Sequence, residues 1–378
     1  MSNSQPARIH DRGNLDDFRG NQPRSTSEVA AWMKQEAPVE PIDPKFPIVD
    51  PHHHLFGGPH DRLYYRREDL QSDLNCGHRV IGTVYVEAYD SGWRTSGPEE
   101  QRPVGETEMI VGLSQQPLPT EFGSCDFAAG IVCHADLGLG AAVEEVLAAH
   151  VEAGRGRVKG LRQRTATVEG IVGKYSPSLR KPELLADNQF REGFAKLRDF
   201  DFSFDSWIYH TQFAELIDLV DAFPDTPVVV DHMAGPIGVA EFRSRHAEVM
   251  AEWERGMQAL AERPNVFMKI GGMGMPLFGF GFEHWPKPPG SAELAEAWRI
   301  YIETSIDAFG TNRCMFESNF PVDKQSTSYA SLWNAFKLVS KGWSQQERAD
   351  VFFGTACRVY RLPHLLKLGE ELAKETPR

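Results

Sequence analysis

The chain has 378 residues, 41% of them hydrophobic and 25% charged, with a formal net charge of −13. That balance suits a globular enzyme of one large domain or two ordinary ones, and the scattered acidic excess excludes nucleic acid as a partner, because phosphate binding needs a basic face. No apolar run approaches the roughly 18 residues that span a bilayer, no signal-peptide core opens the chain, and the five cysteines form no CxxC pair, so a cytoplasmic chain with reduced thiols and no membrane partner is expected.

Residues 1–45 are polar and turn-rich, with one short helix expected at 27–35. They read as an arm that packs on the domain or on a neighbouring subunit, the latter making a homo-oligomer. From residue 46 onward, apolar strand-like runs alternate with helical patterns. The strands are expected at 46–52, 80–88, 127–136, 158–164, 202–209, 226–232, 265–272 and 313–320, with helices at 138–154, 188–200, 211–224, 242–264 and 290–310. Eight strands alternating with helices is the count of a (β/α)8 TIM barrel, here 46–378 with a C-terminal helix. A doubly wound sheet shares the alternation, but no glycine-rich phosphate loop follows the first strand.

In such a barrel the chemistry sits at the C-terminal ends of the strands. Taken in order, those ends offer Asp50, His52 and His54; Glu87; His134 and Asp136; Arg162 and Arg164; Asp205, Tyr209 and His210; Asp231 and His232; Lys269; and Glu317 with Asn319. Capping of loop backbone explains any one of these as well as chemistry does, and explains Asp205, Asp231 and His134 better. Eight such ends together point to a site, since an unpaired buried polar group costs about 1–3 kcal/mol. On the first strand, alternation puts His52 and His54 on one face and His53 on the other, so two imidazoles can grip a metal ion or a small-molecule substrate. Arg162 and Arg164 suit a carboxylate, with a salt bridge to a neighbouring strand as the alternative for Arg164. His210 reads equally as a substrate donor or a helix cap. The glycine-rich segment 271–290 carries Phe278, Phe280 and Trp285, which read as a substrate wall or lid, or else as an ordered loop packed on the rim.

The pattern Asp50-x-His52-x-His54, Arg162 after VKGL, VVVDH ending in His232 and MFESNFPVD together resemble the amidohydrolase superfamily. The likeness is to its branch of TIM-barrel lactonases and nonoxidative decarboxylases, the group with 2-pyrone-4,6-dicarboxylate lactonase, 4-sulfomuconolactonase and sugar-acid lactonases, and it covers about residues 46 to 362. The resemblance implies a hydrolase opening a lactone or related cyclic ester of a carboxylate-bearing, aromatic-derived molecule. A metal-dependent decarboxylase of an aromatic or unsaturated acid is the alternative, and a noncatalytic binding protein on a degenerate barrel is a third. It implies His52, His54 and His232 at the mouth, binding divalent zinc or manganese or polarising a carbonyl, with Lys269 and Tyr209 lining the substrate site and no organic cofactor. The branch places an aspartate two residues before the strand-eight proline; here that place is Asn319, which cannot take a proton from water. Glu317 or Glu87 is the expected substitute base.

Overall fold

Several barrel strands are short runs rich in β-branched residues, as in Val-Ile-Gly-Thr-Val-Tyr-Val at 80–86, where every position is buried. Burial on both faces is what a parallel sheet covered by helices requires. The computed structural model describes residues 18–58, 60–89, 91–175 and 182–376. Its strands are β1 (Ile48–His53), β2 (Val80–Val86), β3 (Leu118–Thr120), β4 (Gly123–Cys133), β5 (Val158–Arg162), β6 (Ser203–Ser206), β7 (Val228–Val230), β8 (Val266–Ile270) and β9 (Cys314–Phe316). Eight pair in parallel in the order β1-β2-β4-β5-β6-β7-β8-β9, and β3 lies antiparallel on β4. The two ends of the sheet meet: Asn319 N–H donates to the His52 carbonyl at 2.9 Å and His54 N–H to the Phe320 carbonyl at 2.8 Å. The result is the (β/α)8 barrel.

The helices are α1 (Thr26–Met33), α2 (Arg67–Leu74), α3 (Val104–Leu113), α4 (Val143–Gly154), α5 (Gly170–Tyr175), α6 (Asn188–Ala195), α7 (Phe213–Ala222), α8 (His246–Ala261), α9 (Ser291–Phe309), α10 (Tyr329–Val339), α11 (Gln345–Ala349), α12 (Thr355–Val359) and α13 (Pro363–Lys374). Among the described residues none is long and apolar enough to cross a membrane. The structure ends several strands earlier than the sequence pattern does. The run 202–209 leaves the ladder after Ser206, and 226–232 after Val230, because the residues that follow enter 3-10 turns at His210–Gln212 and Asp231–Ala234.

Asp50 fastens the closure. Its carboxylate accepts from Ser318 N–H at 3.0 Å, Ser318 Oγ at 2.6 Å and Tyr329 OH at 2.9 Å, tying the first strand to the segment after the last. The arm packs on its own barrel. Phe18 meets Tyr175 of α5 edge-on, Thr26 bonds Tyr64, Arg24 bonds Gln325, and Trp32 Nε1 donates to the Trp285 carbonyl at 2.7 Å. These partners lie in the segments that follow β5, β1, β9 and β8, so residues 18–33 run across one end of the barrel. The chain then descends α10, where Glu36 accepts from Ser328 and Ser331 and Lys337 Nζ donates to the Asp43 carbonyl.

Candidate active site

Three imidazoles gather where β1 and β7 end. His52 Nε2 and His54 Nε2 are 3.1 Å apart, and the His52 and His232 rings lie 4.7 Å apart at 34°. Alternation along β1 produces the first pair, and it turns His53 outward, where Nε2 meets Thr83 Oγ1 at 2.9 Å and the ring packs on Tyr85 and Phe127. His232 arrives by a different route. His232, Met233 and Ala234 all adopt left-handed backbone (φ 54, 54 and 55°), followed by Gly235 at φ 36°. Left-handed conformation costs a non-glycine residue roughly 1–2 kcal/mol, and such strain persists where surrounding structure enforces it. Here Trp207 and Tyr209 pack where a side chain on Gly235 would stand, and the Trp207 ring meets His232 edge-on at 4.8 Å.

Two of the imidazoles share one carboxylate. Glu317 Oε1 accepts from His232 Nδ1 at 2.5 Å and from His232 N–H at 3.2 Å, while Oε2 lies 2.7 Å from His52 Nδ1. Burial works against its charge, yet His232 and His52 hold the Glu317 carboxyl down at about 2. The third imidazole is fixed by the Val86 carbonyl, 2.8 Å from His54 Nδ1. With a carboxylate facing Nδ1 of His232 and a carbonyl facing Nδ1 of His54, the surroundings place the proton there in both rings and leave Nε2 as the base or ligand. Burial also lowers His232 despite Glu317, and burial with Arg162 nearby puts His54 well below its usual range, so both rings are neutral near pH 7.

A buried charge network lies alongside. Arg162 donates to Glu87 Oε1 and to the Glu87 carbonyl, both at 2.7 Å; its Nη1 is 3.4 Å from Asp231 Oδ2 and 3.3 Å from His52 Nε2. Lys269 Nζ donates to Asp205 Oδ2 at 2.6 Å and lies 3.2 Å from Asp231 Oδ1, and Tyr360 OH also donates to Asp205. Burial alone would raise the Asp231 carboxyl, but Lys269, His52 and Arg162 hold it well below the usual carboxylate range.

Several expected roles change with these contacts. Glu317 and Glu87 are buried against cations and imidazoles, not aimed at solvent. Asn319 turns away, at φ 52°, to donate to Asp323 Oδ1 at 2.8 Å. Arg162 is held by Glu87 and Asp231; Arg164 Nε makes the looser salt bridge to Glu87 Oε1 at 3.6 Å, but its side chain is 26% exposed against 5% for Arg162, and it sits over the Tyr89 ring. Lys269 is fully buried between two carboxylates, with no face left for substrate. His210 turns towards the segment before α8, accepting from Ile237 N–H at 3.4 Å and packing on Phe242. Phe278 and Phe280 stack on each other and meet Tyr301 of α9 edge-on, and Trp285 packs on Phe282 and bonds Trp32. These rings pack the rim; the part of that segment beside the imidazoles is Gly271–Gly272, where added Cβ atoms would lie 2.3 Å from Glu317 and 2.6 Å from His232. Tyr209 lies beside Trp207 and supports the left-handed turn. Trp207 itself was legible by alternation from Asp205, two residues before it.

The donor set fits a divalent cation. His52, Asp231 and His232 are buried and each offers one ligand atom, all within 4.8 Å of one another. Two nitrogens and a carboxylate suit zinc and its neighbours. The cluster shares His52 and His232 with the expected set and includes Asp231, and His54 adjoins it through His52.

The family model for amidohydrolases matches residues 124–362, and the chain belongs to that family. A Sinorhizobium fredii protein, the uncharacterized protein y4mH, is 29% identical over 83% of this chain and 98% of its own. L-fucono-1,5-lactonase of Burkholderia multivorans is 30% identical over 47% of this chain and 57% of its own. A Burkholderia multivorans amidohydrolase crystallised with zinc shares the fold with a TM-score of 0.61 at 22% identity, covering 84% of this chain and 99% of that one. So do a putative 2-pyrone-4,6-dicarboxylic acid hydrolase of Pseudomonas putida (0.53, 15%, covering 84% and 98%) and 5-carboxyvanillate decarboxylase of Sphingomonas paucimobilis (0.51, 11%, covering 84% and 99%). The chain is therefore an enzyme of amidohydrolase type.

Proposed function

We propose that the enzyme hydrolyses a lactone or related cyclic ester of a small molecule bearing a carboxylate. The observation that carries this reading is the His232–Glu317 pair: a neutral imidazole whose Nδ1 is held by a buried carboxylate leaves Nε2 to take a proton from water. Glu317 then stabilises the imidazolium, the part a buried acid plays behind a catalytic histidine. The water oxygen attacks the acyl carbon, and the ring C–O bond breaks. The leaving ring oxygen takes the proton back from His232, giving the open hydroxy acid. Arg162, fixed by Glu87 and Asp231, supplies positive charge beside the oxyanion that develops at the carbonyl. His54 Nε2 orients the water. Arg164, open and backed by the Tyr89 face, holds the substrate carboxylate, and the half-buried rings of Tyr89, Trp93 and Trp207 offer flat apolar surface suited to an unsaturated or aromatic-derived ring. A divalent ion held by His52, Asp231 and His232 would supply Lewis acidity to the carbonyl and to water in place of the His232 proton relay, because Nε2 cannot ligate a metal and take a proton at once. The lactonase and pyrone hydrolase relatives support this reading.

A decarboxylase on the same barrel is the second reading, favoured by the fold shared with 5-carboxyvanillate decarboxylase. A panel of carboxylated lactones and aromatic acids, followed by acid release and by carbon dioxide release, separates the two. Arg164→Met is expected to raise KM for a carboxylated lactone by about 10–100-fold with little change in kcat. Carbon dioxide release without lactone hydrolysis would replace the first reading with the second.

A further inference from the structure

Lys269 has no access to substrate, yet it stands at the centre of the charge network. Its Nζ lies 2.6 Å from Asp205 Oδ2, 3.2 Å from Asp231 Oδ1 and 3.3 Å from His52 Nδ1. Two carboxylates, Asp205 and Asp231, face the buried ammonium and balance its charge. Asp205, itself bonded by Tyr360, anchors the ammonium in place. Two of the groups that Lys269 touches, His52 and Asp231, are two of the three that a divalent ion would use.

An ion in that cluster and the Lys269 ammonium are like charges sharing one carboxylate in an almost wholly buried site. Salt screens such a pair weakly, and the low local dielectric strengthens the repulsion. We infer that Lys269 sets the metal affinity of the cluster, acting as a resident cation that competes with a divalent ion for Asp231 and His52. The inference rests on the metal reading of that cluster. Arg162 also approaches Asp231, but through a single nitrogen at 3.4 Å, and its other donors are committed to Glu87. Lys269 is the closer cation, at 3.2 Å.

The test is zinc binding by titration calorimetry to the full-length, metal-stripped chain near neutral pH. Lys269→Met is expected to bind a single zinc ion at least about tenfold more tightly than wild type. The substitution leaves Asp205 short of a partner, so Lys269→Met combined with Asp205→Asn is measured as well, with circular dichroism to check folding. His232→Ala locates the site and is expected to abolish the binding. Equal or weaker zinc affinity in a folded Lys269 variant, with binding still lost in His232→Ala, overturns the role of Lys269 and leaves the metal site standing. Absence of zinc binding in every variant, or binding indifferent to His232→Ala, overturns the metal reading and the inference together.

Discussion

The Glu317 carboxylate meets two imidazoles and a backbone N–H, so its effect on the reaction passes through His232. Glu317→Gln keeps the shape and removes the charge. It is expected to lower kcat by about 10²-fold or more, the usual worth of a general base and its partner. Glu317 also raises His232, so the acidic limb of the pH–rate profile should move to lower pH in the variant. A fall in melting temperature with an unmoved limb would leave Glu317 a purely structural acid. Gly272 makes a second residue-scale case. It holds φ +70°, and a Cβ there would stand 2.6 Å from the His232 ring, so Gly272→Ala should cost about 1–2 kcal/mol and displace the imidazole. Near-normal kcat and melting temperature would show that the loop relaxes instead. The same scale explains which site residues were legible. His52, His54 and His232 announce themselves by type and spacing. Asp231 does not, because strand alternation puts it on the face opposite His232. The left-handed turn at His232 breaks that alternation and brings both side chains into one cluster, and nothing in VVVDHMAGP signals the turn before Gly235.

At the scale of elements, strand positions were legible because short apolar runs alternate with amphipathic helices. Their ends were not, because a polar residue at a strand terminus belongs to the turn as readily as to the ladder. The aromatic segment after β8 offered a substrate wall to the eye, yet its rings pack on Tyr301 and on the arm. What joins arm and segment is the Trp32 bond to the Trp285 carbonyl, with Arg24 stacked over Trp32 at 4.2 Å. Removing that anchor should loosen the segment from its outer end while Gly271–Gly272 hold its inner end. Trp32→Ala is therefore expected to speed amide hydrogen exchange across Phe278–Trp285, with exchange in β8 unchanged. Equal exchange in both proteins would mean that the arm rests on the segment without restraining it.

Across the whole molecule, two buried carboxylates outside direct reach of solvent bend stability in opposite directions with pH. Glu106 of α3 accepts from Tyr85 OH and Ala88 N–H, both at 2.7 Å, and from Trp93 Nε1 at 3.2 Å. Burial first, and the Glu87 charge second, push its carboxyl up to about 7 from an ordinary 4.5. Between those values the folded chain binds the proton that the unfolded chain releases, so this contribution is complete below about 4.5 and is lost as pH rises through about 7. Glu317 runs the other way: held at about 2, it contributes fully above 4.5 and loses its contribution as pH falls towards 2. Together they favour greatest stability on the mildly acidic side of neutrality. Glu106→Gln removes the first limb and leaves the second. Melting temperatures measured by calorimetry from about pH 3 to about pH 8 should therefore fall less steeply above about pH 5 in the variant than in wild type, while the two curves keep the same slope below about pH 4. An unchanged slope between about pH 5 and about pH 8 would mean that Glu106 stays ionised in the folded chain, its charge balanced by the three donors around it.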